Sequence, residues 1–196
     1  MPKIIENIRE KLLSEARRQV MEQGYSTMTI RSVASACGVG VGTVYNYFPS
    51  KDMLVASFML EDWLKCVVAF TKACENAVID NTSANITENP KAATSETSKE
   101  AVAKALHSIY KELSRFRDKY AVLFSDKNAG SSYASAFPLR HPQLRDQIAE
   151  ALKPICARQN KAEPVFLADF IAESMLTWTM AGCEFEQIAG ILLQLL

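Results

Sequence analysis

The chain has 196 residues, 48% of them hydrophobic, with 22 basic and 22 acidic side chains. That is enough apolar material for one domain, or for one small and one larger domain, each with a core. No apolar run reaches the ~18 residues that span a bilayer. The start Met1-Pro2-Lys3-Ile4-Ile5-Glu6 is amphipathic and acid-containing, unlike a signal peptide. Cys37, Cys66, Cys74, Cys156 and Cys183 form no CxxC, which argues against zinc and against a disulfide framework. The expectation is a cytoplasmic protein with no membrane partner, no metal and no cofactor.

Zero net charge hides an uneven distribution. Through Lys51 seven bases (Lys3, Arg9, Lys11, Arg17, Arg18, Arg31, Lys51) stand against four acids (Glu6, Glu10, Glu15, Glu22). The head therefore carries a surplus of three positive charges and the remainder an equal deficit. The sign is that of a basic head on an acidic body, as in nucleic-acid-binding proteins.

Ile5, Ile8, Leu12, Ala16 and Val20 recur at steps of three and four, one face of a helix over 3–23. Gly24 fits the position just past its end. Thr29 is the N-cap of a second helix through about Ala36, and Gly38 ends it. A third short helix begins near Val41 and stops before Pro49. Ser50 caps a fourth helix running to about Asp80. Residues 81–98 are rich in Asn, Thr, Ser, Glu and Lys and read as a surface loop. Helical pattern returns over 99–116, followed by a short apolar piece from Tyr120 to Phe124. Gly130-Ser131-Ser132 marks a break, 142–158 is another helix around Pro154, and 164–181 and 184–196 are two strongly apolar helices. No alternating strand pattern appears, so the fold class is all-α.

Two short helices joined by Cys37-Gly38-Val39-Gly40 describe a helix-turn-helix. Val44 and Phe48, four apart, face inward. Gly42, Thr43, Asn46 and Tyr47 then face outward, with Tyr45 at the edge. Asn can bond adenine in pairs, the Thr methyl can touch a thymine methyl, and Tyr and Thr hydroxyls can donate to phosphates. Gly42 inside a helix costs ~1 kcal/mol relative to Ala, and close approach of backbone to DNA is one reason to tolerate it. Lys51 opens the fourth helix, where the macrodipole disfavours a cation. A phosphate shared by Lys51 and that helix N-terminus resolves the conflict. The amides near Thr29 offer a second phosphate site, and Arg31 can reach a guanine edge or a phosphate.

These residues resemble the TetR family of transcriptional regulators. The resemblance lies in Thr29-Ile30-Arg31-Ser32-Val33-Ala34, Gly38-Val39, Gly42-Thr43-Val44-Tyr45-Asn46-Tyr47-Phe48 and Ser50-Lys51-Asp52-Met53-Leu54. It covers about the first 55 residues; the rest agrees in length and helical character. It implies a DNA-binding domain over 1–50 and a ligand-binding and dimerisation domain over 51–196. It also implies phosphate contacts near Thr29, Thr43, Tyr47 and Lys51, and base-edge contacts from Arg31 and the third helix. Val41 and Gly42 lie in that interface but offer little hydrogen-bonding readout. Specificity then leans on Arg31, Thr43, Tyr45, Asn46 and DNA shape.

Other readings are weaker. Gly38-x-Gly40-x-Gly42 is not a dinucleotide fingerprint, because Thr43 stands where the third glycine belongs and no strand precedes it. His107 and His141 lack metal-ligand spacing. Asp169 and Glu173 read as a solvated helix face or a counter-charge. Cys66 and Cys74 read as small core residues. No catalytic constellation emerges, so no enzyme is expected.

The last two helices are apolar on more than one face. The surplus suggests a subunit interface at Phe166, Phe170, Ile188, Leu192 and Leu195; a central core helix over 164–181 is the alternative. The resemblance implies a twofold dimer on a palindromic double-stranded operator. Trp63, Phe70, Tyr110, Phe116, Tyr120, Phe124, Met175 and Trp178 are candidates to line a pocket for a small-molecule effector. The expected function is a DNA-binding transcriptional regulator, a repressor released by its ligand. The contrasting expectation is a helical small-molecule-binding or interaction protein that does not read DNA.

Overall fold

The computed structural model describes residues 7–83, 93–125, 141–158 and 163–196, without the side chains at 80–83, 93–98, 122, 124 and 125. Ile5 and the 130–132 break lie outside the described residues, as does the side chain of Phe124. Among the described residues there are eight α-helices and no strand.

Helix α1 (Ile8–Gln23) buries Ile8, Leu12, Leu13, Ala16 and Val20, the stripe of the apolar spacing. It ends at Gly24, whose φ of 86° suits a residue without Cβ. Helix α2 (Ile30–Ala36) starts in a capping box: Thr29 Oγ1 accepts from the Ser32 amide at 3.0 Å, and Ser32 Oγ accepts from the Thr29 amide at 3.1 Å. At its other end Gly38, at φ 67°, donates to Ser35 and Val39 donates to Ala34, the paired bonds of a Schellman turn. Helix α3 (Val41–Tyr47) follows, capped by the backbone of Gly40 alone. Helix α4 (Lys51–Ser83) is capped by Ser50 Oγ, which accepts from the Met53 amide at 3.1 Å.

Helix α5 (Ala93–Ser125) differs from the sequence expectation at both ends. It begins inside the polar stretch read as loop and runs through Arg117-Asp118-Lys119 without a break. Nothing from Lys99 to Ser125 is Gly or Pro, so no residue there forces a stop. Helix α6 (His141–Cys156) continues two residues past Pro154, which removes one intrahelical bond near the end. Helix α7 (Pro164–Met180) is capped by the Glu163 carboxylate, and α8 (Phe185–Leu195) by a Glu184–Gln187 capping box.

The chain forms two compact units, Met1–Asp62 with Lys119–Leu139, and Trp63–Asp118 with Arg140–Leu196. In the first, α2 packs against α1 and α3 over a core that includes Leu12, Met28, Val33, Val44, Leu54 and Phe58. Asp62 is buried there among polar partners. It accepts from Arg17 at 3.2 Å, from Tyr120 at 2.7 Å and from Lys119. In the second, α6 packs on α7, and Leu106, Ile109, Ile148, Leu152, Ile171 and Met175 are fully buried. From α5, Arg117 donates to the Thr179 carbonyl at 2.6 Å and Tyr110 to the Cys183 carbonyl at 2.7 Å. These two bonds hold the turn between α7 and α8.

Candidate nucleic-acid interface

Helix α3 has two sides of opposite character. Val44 is fully buried and Phe48, just past the helix, nearly so. Tyr45, Asn46, Tyr47 and Gly42 are exposed, with Val41 and Thr43 half-buried. Two aromatic side chains held half in water beside an asparagine are an unusual expense for a seven-residue helix, since each leaves apolar surface unburied. A Cβ at Gly42 would meet nothing within 4 Å, so its absence leaves an open approach to the helix backbone.

Thr29 and Arg31 are exposed at the start of α2. The sequence singled out Thr29 but missed what fixes it. Ser32 Oγ donates to the buried Gln19 Oε1 at 2.6 Å, and Gln19 Nε2 donates to Glu15 at 2.7 Å. Arg18 closes the chain by donating to both Glu15 oxygens and to Glu22. The Arg18 bonds, then Gln19, hold the Glu15 carboxyl below its ordinary value. The start of α2 is thereby tied to α1 through polar side chains as well as apolar packing. A buried glutamine has no signature in a sequence, so only the fold reveals it.

Lys51 stands at the first position of α4, half-buried. Its ammonium lies over the face of Tyr25, 4.1 Å from the ring centroid. The same tyrosine donates its hydroxyl to Asp52 Oδ1. The ring face thus supplies negative potential to a cation that the helix dipole disfavours. Tyr25 was absent from the sequence-level set, and its only cue was its place after Gly24.

The residues expected elsewhere fall into separate settings. Trp63, Phe70 and Phe116 form edge-on ring contacts of 5.9 Å and 5.4 Å in the second unit, where Met175 is also buried. Tyr110 packs on Phe185 at 5.5 Å. Tyr120 packs on Phe58 at 6.2 Å in the first unit and is committed to Asp62. Trp178 is exposed on α7, as are Phe166 and Phe170. Ile188 and Leu192 are buried within the protomer, and Leu195 is half-buried. Ile188 and Leu192 are therefore core residues: the apolar face of α8 is spent on its own unit. Among the described residues no cluster of His, Cys, Asp and Glu could hold a metal, and no helix is long and apolar enough to cross a membrane.

Residues 12–58 match the family model for bacterial regulatory proteins of the tetR family. Two curated relatives match over part of the chain. The HTH-type transcriptional regulator UidR of Escherichia coli (strain K12) is 27% identical over 67 residues, 34% of this chain and 34% of that protein. The HTH-type transcriptional regulator HbdR of Aromatoleum sp. (strain CIB) is 41% identical over 51 residues, 26% of this chain and 22% of that protein. The chain thus spans about a third or less of the length of the curated relatives it matches. Solved structures extend the likeness in fold to 95% of the chain. Thermus thermophilus FadR, a TetR-family transcriptional repressor in complex with lauroyl-CoA, aligns with a TM-score of 0.52 at 19% identity, covering 95% of this chain and 92% of that one. FadR of Bacillus subtilis, in complex with stearoyl-CoA, aligns with a TM-score of 0.51 at 16% identity, covering 95% and 96%.

Proposed function

We propose that this chain, whose N-terminal head belongs to the TetR family of bacterial regulatory proteins, is a sequence-specific DNA-binding transcriptional regulator. It acts as a repressor that sits as a homodimer on a palindromic operator and leaves it when a small molecule binds. The observation that carries the reading is the two-sided α3. Val44 and Phe48 anchor it in the core, while Thr43, Tyr45, Asn46 and Tyr47 face out with hydrogen-bonding groups. Asn46 reads a base edge, Thr43 and Tyr45 contribute to that readout, and Val41 and Gly42 set the approach distance. Thr29, Tyr47 and Lys51 bind phosphates, and Arg31 reaches a base or a phosphate.

Dimerisation uses the exposed stripe Phe166, Phe170 and Trp178 on α7, whose members recur at multiples of four. The effector enters a groove of about 310 Å³ in the second unit, lined by Val67, Thr71, Gln147, Ala151 and Pro154 among others. Gln147 accepts from the Trp63 indole at 2.6 Å, and that bond links the groove to the Trp63–Phe70–Phe116 ring cluster. Binding there favours one of two states of the dimer and so weakens operator affinity.

The test is fluorescence anisotropy with duplexes from the DNA flanking the gene, titrated with salt. A regulator binds one of them selectively, and its affinity falls steeply with salt. A helical binding protein with no DNA function shows neither. Long-chain acyl-CoAs, the ligands in the two FadR structures, are the first effector probes. With Trp178→Phe leaving Trp63 as the sole indole, a bound effector changes its fluorescence and releases the duplex together.

A further inference from the structure

We propose that Tyr25 is a positioning residue of the DNA interface: it holds the Lys51 ammonium in place for a phosphate and engages the neighbouring Asp52 carboxylate. The inference rests on the reading of the chain as a DNA-binding regulator. Tyr25 is almost completely buried in the loop between α1 and α2, about 26 residues before its partners. Its ring face lies 4.1 Å from Lys51 Nζ, and its hydroxyl donates to Asp52 Oδ1. One side chain therefore contacts the first two residues of α4, using a different part of itself for each.

The two contacts have complementary effects on an incoming anion. A solvated lysine samples many rotamers and loses that freedom when it binds a phosphate. The π face limits those rotamers beforehand. Asp52 would repel a phosphate one residue away. The hydroxyl bond draws negative charge from that carboxylate toward the protein interior. Tyr25 itself, being buried, need not touch DNA.

The experiment measures binding of the full chain to a labelled mixed-sequence duplex across a salt series. The proteins are wild type, Tyr25→Phe, Tyr25→Leu, Lys51→Ala and Tyr25→Leu/Lys51→Ala. Lys51→Ala weakens binding and removes about one counterion per head from the salt slope. Tyr25→Leu weakens binding about two- to fivefold, the size of a cation–π contact. Tyr25→Phe keeps the ring face and retains most of the affinity. Beyond Lys51→Ala, the double variant loses no more than Tyr25→Phe loses alone, because the ring acts only through the lysine and the hydroxyl only through Asp52. Losses that multiply in the double variant, or equal losses for Phe and Leu at position 25, overturn the proposal. A wild-type protein without salt-dependent duplex binding overturns the parent reading instead. NMR of the free wild-type protein gives a check that no variant's folding can obscure. The ring current moves the Lys51 ε-methylene protons upfield, and a shift equal to that of a solvated lysine rejects the contact.

Discussion

Tyr120 donates its hydroxyl hydrogen to the Asp62 carboxylate over 2.7 Å, and both residues are buried. Burial, then the bond to Asp62, pushes the Tyr120 phenol above its ordinary value. Asp62 also accepts from Arg17 of α1 and Lys119 of α5, so three helices meet at one carboxylate. Arg17 is the less satisfied partner: its Nε is buried without a hydrogen-bond partner. Asp62→Ala removes the acceptor that a buried phenol and two cations share, while Arg17 keeps the Phe58 carbonyl and Glu61. It should lower unfolding free energy by about 2–4 kcal/mol, toward the low end because Lys119 is partly solvated. Tyr120→Phe should cost about 1 kcal/mol. Urea denaturation measures both, and equal costs would show that the two cations contribute nothing.

The buried thiols give a pH dependence. Burial pushes Cys74 up to about 12 and Cys156 up to about 11, from an ordinary 9.0, with each thiol's neutral form favoured in the fold. The unfolded chain ionises these groups near their ordinary value. The stabilisation is therefore complete below that value and is lost as pH rises from 9.0 toward 11 and 12. Cys74→Ala should lose about 1–2 kcal/mol less than wild type between neutral pH and roughly pH 10.5. Denaturant titrations at the two pH values test this. In the native protein at neutral pH, Cys74 and Cys156 should resist thiol reagents that reach the partly exposed Cys37 and Cys183.

What could be read from the sequence was what local chemistry specifies. Gly24, Thr29, Gly38, Pro49 and Ser50 punctuate the head within one or two residues of the observed helix ends, because each acts on its own backbone. The start of α5 was not legible, since polar composition describes a loop and a solvated helix equally well. Ile188 and Leu192, both buried within the protomer, show a related limit. Apolar residues around a helix show that surface must be covered, but not whether the cover is the same chain or a second one. Tyr25 and Gln19 were invisible because their partners are set by tertiary packing.

Gly42→Ala should separate stability from function. Gly42 lies in the first turn of α3 at an ordinary helical φ, and an added Cβ meets nothing within 4 Å. The substitution should raise stability by up to about 1 kcal/mol. If the helix backbone sits close to the groove, the same methyl should weaken operator binding roughly tenfold, the size of one lost contact. Thermal melts and anisotropy on one preparation read both. Stabilisation with unchanged DNA affinity would remove Gly42 from the interface.

Phe170→Glu tests the dimer. Phe170 is 48% exposed in the protomer, between Phe166 at 68% and Trp178 at 43% along α7. A carboxylate there costs the lone protomer within about 0.5 kcal/mol, as surface changes do. At a twofold interface it places two charges against apolar surface. Sedimentation should show a monomer, and operator affinity should drop by about 10²–10⁴ as the two heads lose their tether. A dimer of unchanged stability would assign the subunit interface to another face.

Asn46→Ala separates readout from phosphate contact. Asn46 is exposed on the same two-sided α3 whose Val44 is fully buried. Paired hydrogen bonds from an asparagine to adenine discriminate against other bases by about 1–3 kcal/mol. The alanine variant should therefore lose affinity for the preferred operator while binding substituted operators as wild type does, flattening the preference at one position per half-site. A phosphate contact behaves differently, because every sequence carries the same backbone. Competition binding against a panel of single-position operator variants distinguishes the two. A uniform loss across the panel would move Asn46 to the phosphate set and leave Arg31, Thr43 and Tyr45 as the remaining base-reading candidates.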